Sequence, residues 1–289
     1  MSTATSEVNE SLFQRLASWL FNWCADIGEV VHDSFVAVGM FTVFAGRLFR
    51  WLFFSRPRWD VLLPNMYQVG VRSLPVIALT GTFIGMVLSV QSYAQFRQLG
   101  LETRLGAVIN FSLVRELGPV LAATMLAGRV GSAMAAELGT MRVTEQIDAL
   151  SAMGANPIRY LVVPRFLACV FMIPALTAMA DFMGVCGGFF YSVMVLGIDK
   201  FHYLQNSAVF VTQFDLMSGI GKSVFFGAAI ALVSCYQGFN SDAGAEGVGK
   251  AATSSFVYCF VMILVLDLMM GIFLDSLYTA LYPGGIKLV

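Results

Sequence analysis

A charged pair, Arg115–Glu116, stands inside apolar sequence and is the first place where side-chain chemistry could occur. An ionisable group at membrane depth costs about 2.5–3.5 kcal/mol on insertion scales, so it faces protein or a watery cavity. Pro119 follows and should disrupt the local helix, freeing carbonyls that need partners. Two readings fit: a cavity wall that meets the headgroup of an amphiphile, or a salt bridge that fixes a helix kink. Asp181, Lys222 and Asp267 also interrupt apolar runs. They suit a Lys–Asp pair between two spans, or a proton relay that would make the chain a proton-coupled secondary carrier of hydrophobic substrates.

Catalytic chemistry finds little support. The stretch Gly219-Ile220-Gly221-Lys222-Ser223 imitates a phosphate loop, but that loop needs a glycine where Leu216 stands, and a preceding strand. No GxSxG occurs. With two histidines, His32 and His202, a histidine metal centre is not expected. Cys24, Cys169, Cys186, Cys235 and Cys259 are scattered with no CxxC and read as packing residues. No catalytic, metal or cofactor site is therefore assigned, and any ATP must be bound by another chain.

The elements that position these residues must be membrane helices. The chain is 58% hydrophobic and 12% charged with mean hydropathy +0.76, against about 25% charged residues in soluble domains. Its apolar stretches are too long for barrel strands. The net charge of −1 offers no bulk attraction to nucleic acid. Five spans are expected, at about 72–96, 105–138, 166–197, 216–238 and 251–281. Residues 1–58 are expected to form a disordered polar start and an interfacial amphipathic helix, because the uninterrupted run 34–46 is short of the ~20 residues that span. Arg47, Arg50, Arg56 and Arg58 beside Trp51 and Trp59 suit that interface. Residues 59–289 form the transmembrane domain. The start has neither the basic n-region of a secretory signal nor the bias of a transit peptide.

Small residues at Gly81/Gly85, Ala127/Gly131/Ala135 and Gly184/Gly188 allow close helix packing. Between the second and third spans lies a short helix at about 144–153. Thr144 is its expected N-cap, Glu145 suits its first turn, and Gly154 and Pro157 end it. Ile147, Leu150 and Met153 make a narrow apolar edge, with Gln146 and Asp148 opposite. So short a helix is marginal alone, and it lies either on the membrane surface or in a groove of a partner. With the N-terminus cytoplasmic, eight basic residues fall inside: Arg47, Arg50, Arg56, Arg58, Arg142, Arg159, Arg165 and Lys250. Four fall outside: Arg97, Arg104, Lys200 and Lys287. This orientation puts 139–165 in the cytoplasm and the C-terminus in the periplasm.

The motif RELGPVLAATMLAGRVGSAMAAELGTMRVTEQIDAL resembles the signature of the MlaE/YrbE permeases of MCE-associated ABC transporters. GTFIGMVLSVQSYAQF before it, and PIRYLVVPRF, GKSVFFG and GAEGVGKAAT after it, resemble the same family in the same order, over roughly residues 60–280. The resemblance implies an all-α integral inner-membrane protein with five transmembrane helices and a cytoplasmic coupling helix. It implies a homodimer paired with a cytoplasmic ABC ATPase and a hexameric MCE-domain lipid-binding protein. The complex would move phospholipid between the inner membrane and the periplasmic carrier and maintain outer-membrane lipid asymmetry. Carried onto this chain, the family's lipid cavity falls on Leu88, Gln91, Gln95, Phe96, Leu99, Arg115 and Glu116. Its ATPase-coupling helix falls on Thr144, Glu145, Ile147, Asp148, Leu150 and Met153. The long N-terminal segment and Arg72 depart from the family pattern. A scaffold that anchors partners without transporting is the remaining reading.

Overall fold

Where no water is available to the backbone, a chain can satisfy its hydrogen bonds only within helices or closed barrels, and this chain takes the helical course. The computed structural model describes residues 3–54 and 59–281, all α-, π- or 3₁₀-helix and short connections. Residues 1–2, with Arg56, Arg58 and Lys287 of the charge count, lie outside the described residues.

Residues 1–50 and 51–289 form two units. The first is most of helix α1 (Thr3–Phe54). Its Val31–Phe54 section has 24 residues and a hydropathy of 1.4, long and apolar enough to cross a membrane. The interfacial helix expected here lies within α1, which continues unbroken through Arg47 and Arg50. Arginines near a span's end can snorkel to the interface.

In the second unit, α2 (Trp59–Val69) leads through a 3₁₀ turn, Val71–Ser73, into α3 (Leu74–Gln98). The second span is one long rod of α4 (Leu105–Ser112), α5 (Gly118–Leu126) and α6 (Ser132–Val143), joined by π-helical turns at Leu113–Leu117 and Ala127–Gly131. Then come α7 (Gln146–Ala152), α8 (Val163–Phe190), the short α9 (Lys200–Phe210), α10 (Gln213–Phe239) and α11 (Gly244–Leu281). With Val31–Phe54, six helices among the described residues are long and apolar enough to span by length and composition. The five later ones coincide with the five expected spans, with ends that differ by up to 13 residues. Asp199 caps α9, accepting from the His202 backbone, and hydrogen bonding to the His202 ring holds its carboxyl below the usual carboxylate range.

Glycine decides the closest packing. The expected motifs on α3 and α8 face each other: a Cβ on Gly85 would lie 1.9 Å from the Gly184 carbonyl oxygen, and one on Gly81 would lie 2.6 Å from that of Ala180. Backbones this close gain dispersion and Cα–H···O contacts that a larger residue would exclude. Ser89 strengthens the seam, its hydroxyl donating to the Gly188 carbonyl at 3.2 Å and accepting from Ser192 at 3.2 Å. On the rod, Ala135 and Leu138 pack against Gly238 of α10, and Gly131 meets Ser234. α11 lies along α10 and α6, and its outer side leaves Val261, Leu264, Leu268, Ile272 and Phe273 exposed.

Gly85→Ala should destabilise the detergent-solubilised protein by about 1–3 kcal/mol through overpacking. Gly221→Ala, where nothing lies within 4 Å, should be neutral or stabilising, because alanine is the better helix former. Thermal unfolding followed by tryptophan fluorescence compares the two.

Candidate functional site

The second span acquires its polar centre from a proline. A Pro119 ring in an unbroken α-helix would clash with the carbonyl four residues back. The π-helical turn Leu113–Leu117 widens the helix just before Gly118-Pro119 and removes that conflict. The Val114 carbonyl is covered by Gly219 of α10, where a Cβ would lie 2.4 Å from it. Arg115 and Glu116 sit within this turn and both point into an ion network.

The network has two tiers. In the first, Arg115 reaches Asp215 at 3.6 Å and Asp275 at 3.3 Å, with the Phe111 ring beneath its guanidinium at 5.4 Å. Asp215 is held by a capping box, its other carboxylate oxygen accepting from the Thr212 N–H at 2.9 Å. In the second tier, the Lys222 ammonium donates to Glu116 at 2.5 Å and to Asp267 at 3.2 Å. Arg115 and Glu116 link the tiers at 3.9 Å. Lys222 is 1% exposed whereas Glu116 is 43% exposed, so the network runs from a dry interior to an open edge. Four carboxylates face two cations, which leaves the open edge acidic.

This geometry joins the two readings of Arg115–Glu116. The pair is a structural bridge, and Glu116 still presents a polar face outward. The Lys222–Asp267 pair between α10 and α11 forms as the sequence suggested. Asp181 does not join it. It is buried on α8 against Gly118, and among the described residues neither carboxylate oxygen has a hydrogen-bond partner. The three residues therefore make no continuous relay.

The other cavity candidates divide. Leu88 and Phe96 pack on a buried cluster of Leu105, Ile109, Ile198 and Tyr203. Gln91 and Gln95 are exposed on α3, and Leu99 is exposed just past its end. Among the described residues no hydrogen bond or ion pair joins these five to Arg115 or Glu116.

The short helix starts later than its residue types suggested. Thr144 is not its N-cap: the Thr144 hydroxyl donates back to the Thr140 carbonyl at 2.8 Å, as part of the last turn of α6. Glu145 stands at the N-cap in a left-handed conformation, φ 59°, with no side-chain cap. Such a residue lets the chain reverse sharply after α6, and the reversal takes precedence over the capping preference. The far end is as expected. Gly154, φ 79°, closes a Schellman pattern with Gly154 N–H to Ser151 and Ala155 N–H to Leu150. Ile147 is buried within its own chain, Leu150 is half-buried, and Glu145, Asp148 and Met153 are exposed. The apolar edge therefore splits, with Ile147 anchoring the helix and Met153 facing out. Arg142 clamps Asp148 with two hydrogen bonds, 2.7 and 2.9 Å.

Sequence reasoning missed Asp215, Asp275 and Arg142 as partners, because only the turns and helix contacts bring them near. It also passed over Arg129, Glu137 and Arg165, although each is a charge within an apolar stretch and was visible by that sign. Arg165, nearly buried, pairs with Glu137 at 3.0 Å.

Comparison with known proteins adds independent findings. Residues 62–273 match the family model described as Permease MlaE. A probable ABC transporter permease protein of Rickettsia conorii is 39% identical over 246 residues, covering 85% of this chain and 95% of that protein. The intermembrane phospholipid transport system permease protein MlaE of Haemophilus influenzae is 35% identical over 255 residues, 86% of this chain and 95% of that one. The chloroplastic protein TRIGALACTOSYLDIACYLGLYCEROL 1 of Arabidopsis thaliana is 37% identical over 231 residues, 80% of this chain and 66% of that one.

Lys222→Met should leave Glu116 and Asp267 facing each other without a cation and destabilise the protein by about 3–5 kcal/mol. The triple variant Lys222→Met, Glu116→Gln, Asp267→Asn should recover most of that loss. Thermal unfolding of the three proteins in one detergent checks it; equal stability of single variant and wild type would show that the bridge holds nothing.

Proposed function

The chain belongs to the MlaE permease family, and on that premise we propose that it is the membrane subunit of an ABC transporter that moves phospholipid. A cytoplasmic ATPase supplies the energy, two copies of this chain form the transmembrane core, and an MCE-domain protein exchanges lipid on the periplasmic side. The complex thereby maintains outer-membrane lipid asymmetry. The N-terminus and α7 are cytoplasmic and the C-terminus is periplasmic. What supports this most is one continuous rod. It runs from the Arg115–Glu116 network through α5 and α6 and ends at the exposed, clamped α7.

In this reading the ATPase grips the outer face of α7 through Glu145, Leu150 and Met153. Arg142–Asp148 sets the angle at which α7 meets it. The clamp links α7 directly to α6, so a push on α7 moves the whole second span. The rod's length from Arg115 to Val143 is about 42 Å at 1.5 Å per residue, enough to carry motion across the ~30 Å hydrocarbon core. Lipid occupies the space between the copies beside Gln91, Gln95 and Leu99, with Glu116 at its polar end. The exposed apolar residues Leu79, Phe83, Val87 and Val90 of α3 suit acyl chains or the second copy.

The separation of Asp181 from Lys222–Asp267 weighs against a proton-coupled carrier. Purification in mild detergent should recover the ATPase, the MCE protein and bound phospholipid together. In the reconstituted complex, the double variant Glu145→Lys, Met153→Asp should lower ATP-dependent phospholipid transfer at least tenfold while lipid still co-purifies. Transfer by this chain alone under a pH gradient would overturn the proposal in favour of the carrier.

A further inference from the structure

A second polar recess lies toward the α7 end of the rod, away from the Arg115 network. It is a cavity of ≈ 210 Å³ between the α2–α3 junction and the second span, and Asn65, Gln68, Arg72, Arg129, Met134 and Glu137 contribute to its wall. Arg129 sits in the π-helical turn Ala127–Gly131 and donates to the buried Ser73 hydroxyl of the turn before α3. Arg72 comes from the 3₁₀ turn that opens α3, exposed, with the Tyr67 ring 6.0 Å from its guanidinium.

The charges do not balance within the protein. Glu137 is engaged by the nearly buried Arg165 at 3.0 Å. Among the described residues, neither Arg72 nor Arg129 has a carboxylate within 4.0 Å. Two guanidiniums therefore face one recess without a counter-ion. Arg129 is five residues past the midpoint of the 39-residue span Leu105–Val143. That puts it about 8 Å from the centre, inside a hydrocarbon half-layer of about 15 Å. A cation at that depth calls for an anion, and two guanidinium forks suit the oxygens of a phosphate.

The volume limits what enters. Whole-ligand pockets usually measure about 300–1,000 Å³, so this recess fits a headgroup and not an entire lipid. Leu74, Val76 and Leu79, exposed along the start of α3, provide an apolar track for acyl chains left outside. We propose that Arg72 and Arg129 bind the phosphate of a phospholipid headgroup from the leaflet on the α7 side, with the Asn65 and Gln68 amides beside it. The site is separate from Arg115–Glu116, about 21 Å away along the rod. It rests on the reading of the chain as a lipid permease only for the source of the phosphate.

The full chain, purified with the subunits it carries and without ATP, is incubated with phosphatidylglycerol vesicles, and retained lipid is counted by native mass spectrometry. Arg72→Glu should lower retention of one lipid per chain at least tenfold. Arg129→Lys keeps the charge and loses the fork, and should lower it a few-fold. Retention that survives 10-fold excess inorganic phosphate over lipid assigns a lipid headgroup; displacement by inorganic phosphate overturns the lipid assignment. Unchanged retention in both variants, or equal retention of diacylglycerol by the wild type, overturns the site altogether. No transport is measured, so failure here is distinct from failure of the transport reading.

Discussion

The buried ammonium of Lys222 is the contact on which the arrangement of the second, fourth and fifth of the five later spans depends. At 1% exposure it is enclosed, with Glu116 and Asp267 receiving it at 2.5 and 3.2 Å. Each acid comes from a different helix, so the charge requirement fixes where those helices cross. The π-helical turn before Pro119 is part of the same requirement, since it is that turn which carries Arg115 and Glu116 toward α10 and α11. Packing alone would tolerate some rotation of the second span. A buried cation with two carboxylates does not.

From that fixed point the rest of the architecture follows as two kinds of seam. Gly85 and Gly184 bring α3 and α8 nearly into backbone contact, and Gly238 does the same for α10 and α6. Such seams hold by close dispersion contacts and resist separation, yet they contain few polar locks. The polar locks sit at the ends: the Arg115 network at one, and Arg142–Asp148 and Arg165–Glu137 toward the other. In the proposed mechanism, a displacement of α7 would be transmitted through α6 and α5 to Glu116.

Much of this was legible in the sequence, for identifiable reasons. The five later spans follow from apolar length, and the small-residue motifs on α3, α8 and the second span marked the faces that pack. Gly154 announced the end of α7, since few other residues take a positive φ without strain. The Lys222–Asp267 pair was foreseeable as two opposite charges in neighbouring spans. What escaped depends on three-dimensional placement. Asp215 and Asp275 look like ordinary residues near span ends until α10 and α11 converge on Arg115. Thr144 has the composition of a cap, but the reversal after α6 assigns that place to Glu145. The cavity residues drawn from family resemblance are the least determined: Leu88 and Phe96 pack inward, while Gln91, Gln95 and Leu99 stay exposed.

The central claim is that this chain passes phospholipid through a path powered by another subunit's ATP hydrolysis. The most direct measurement is transfer of labelled phospholipid out of proteoliposomes holding the natively purified complex, with ATP and with a non-hydrolysable analogue. The account predicts transfer only with hydrolysable ATP and only when the ATPase is present. Transfer at the same rate with the analogue, or from this chain alone, would contradict it.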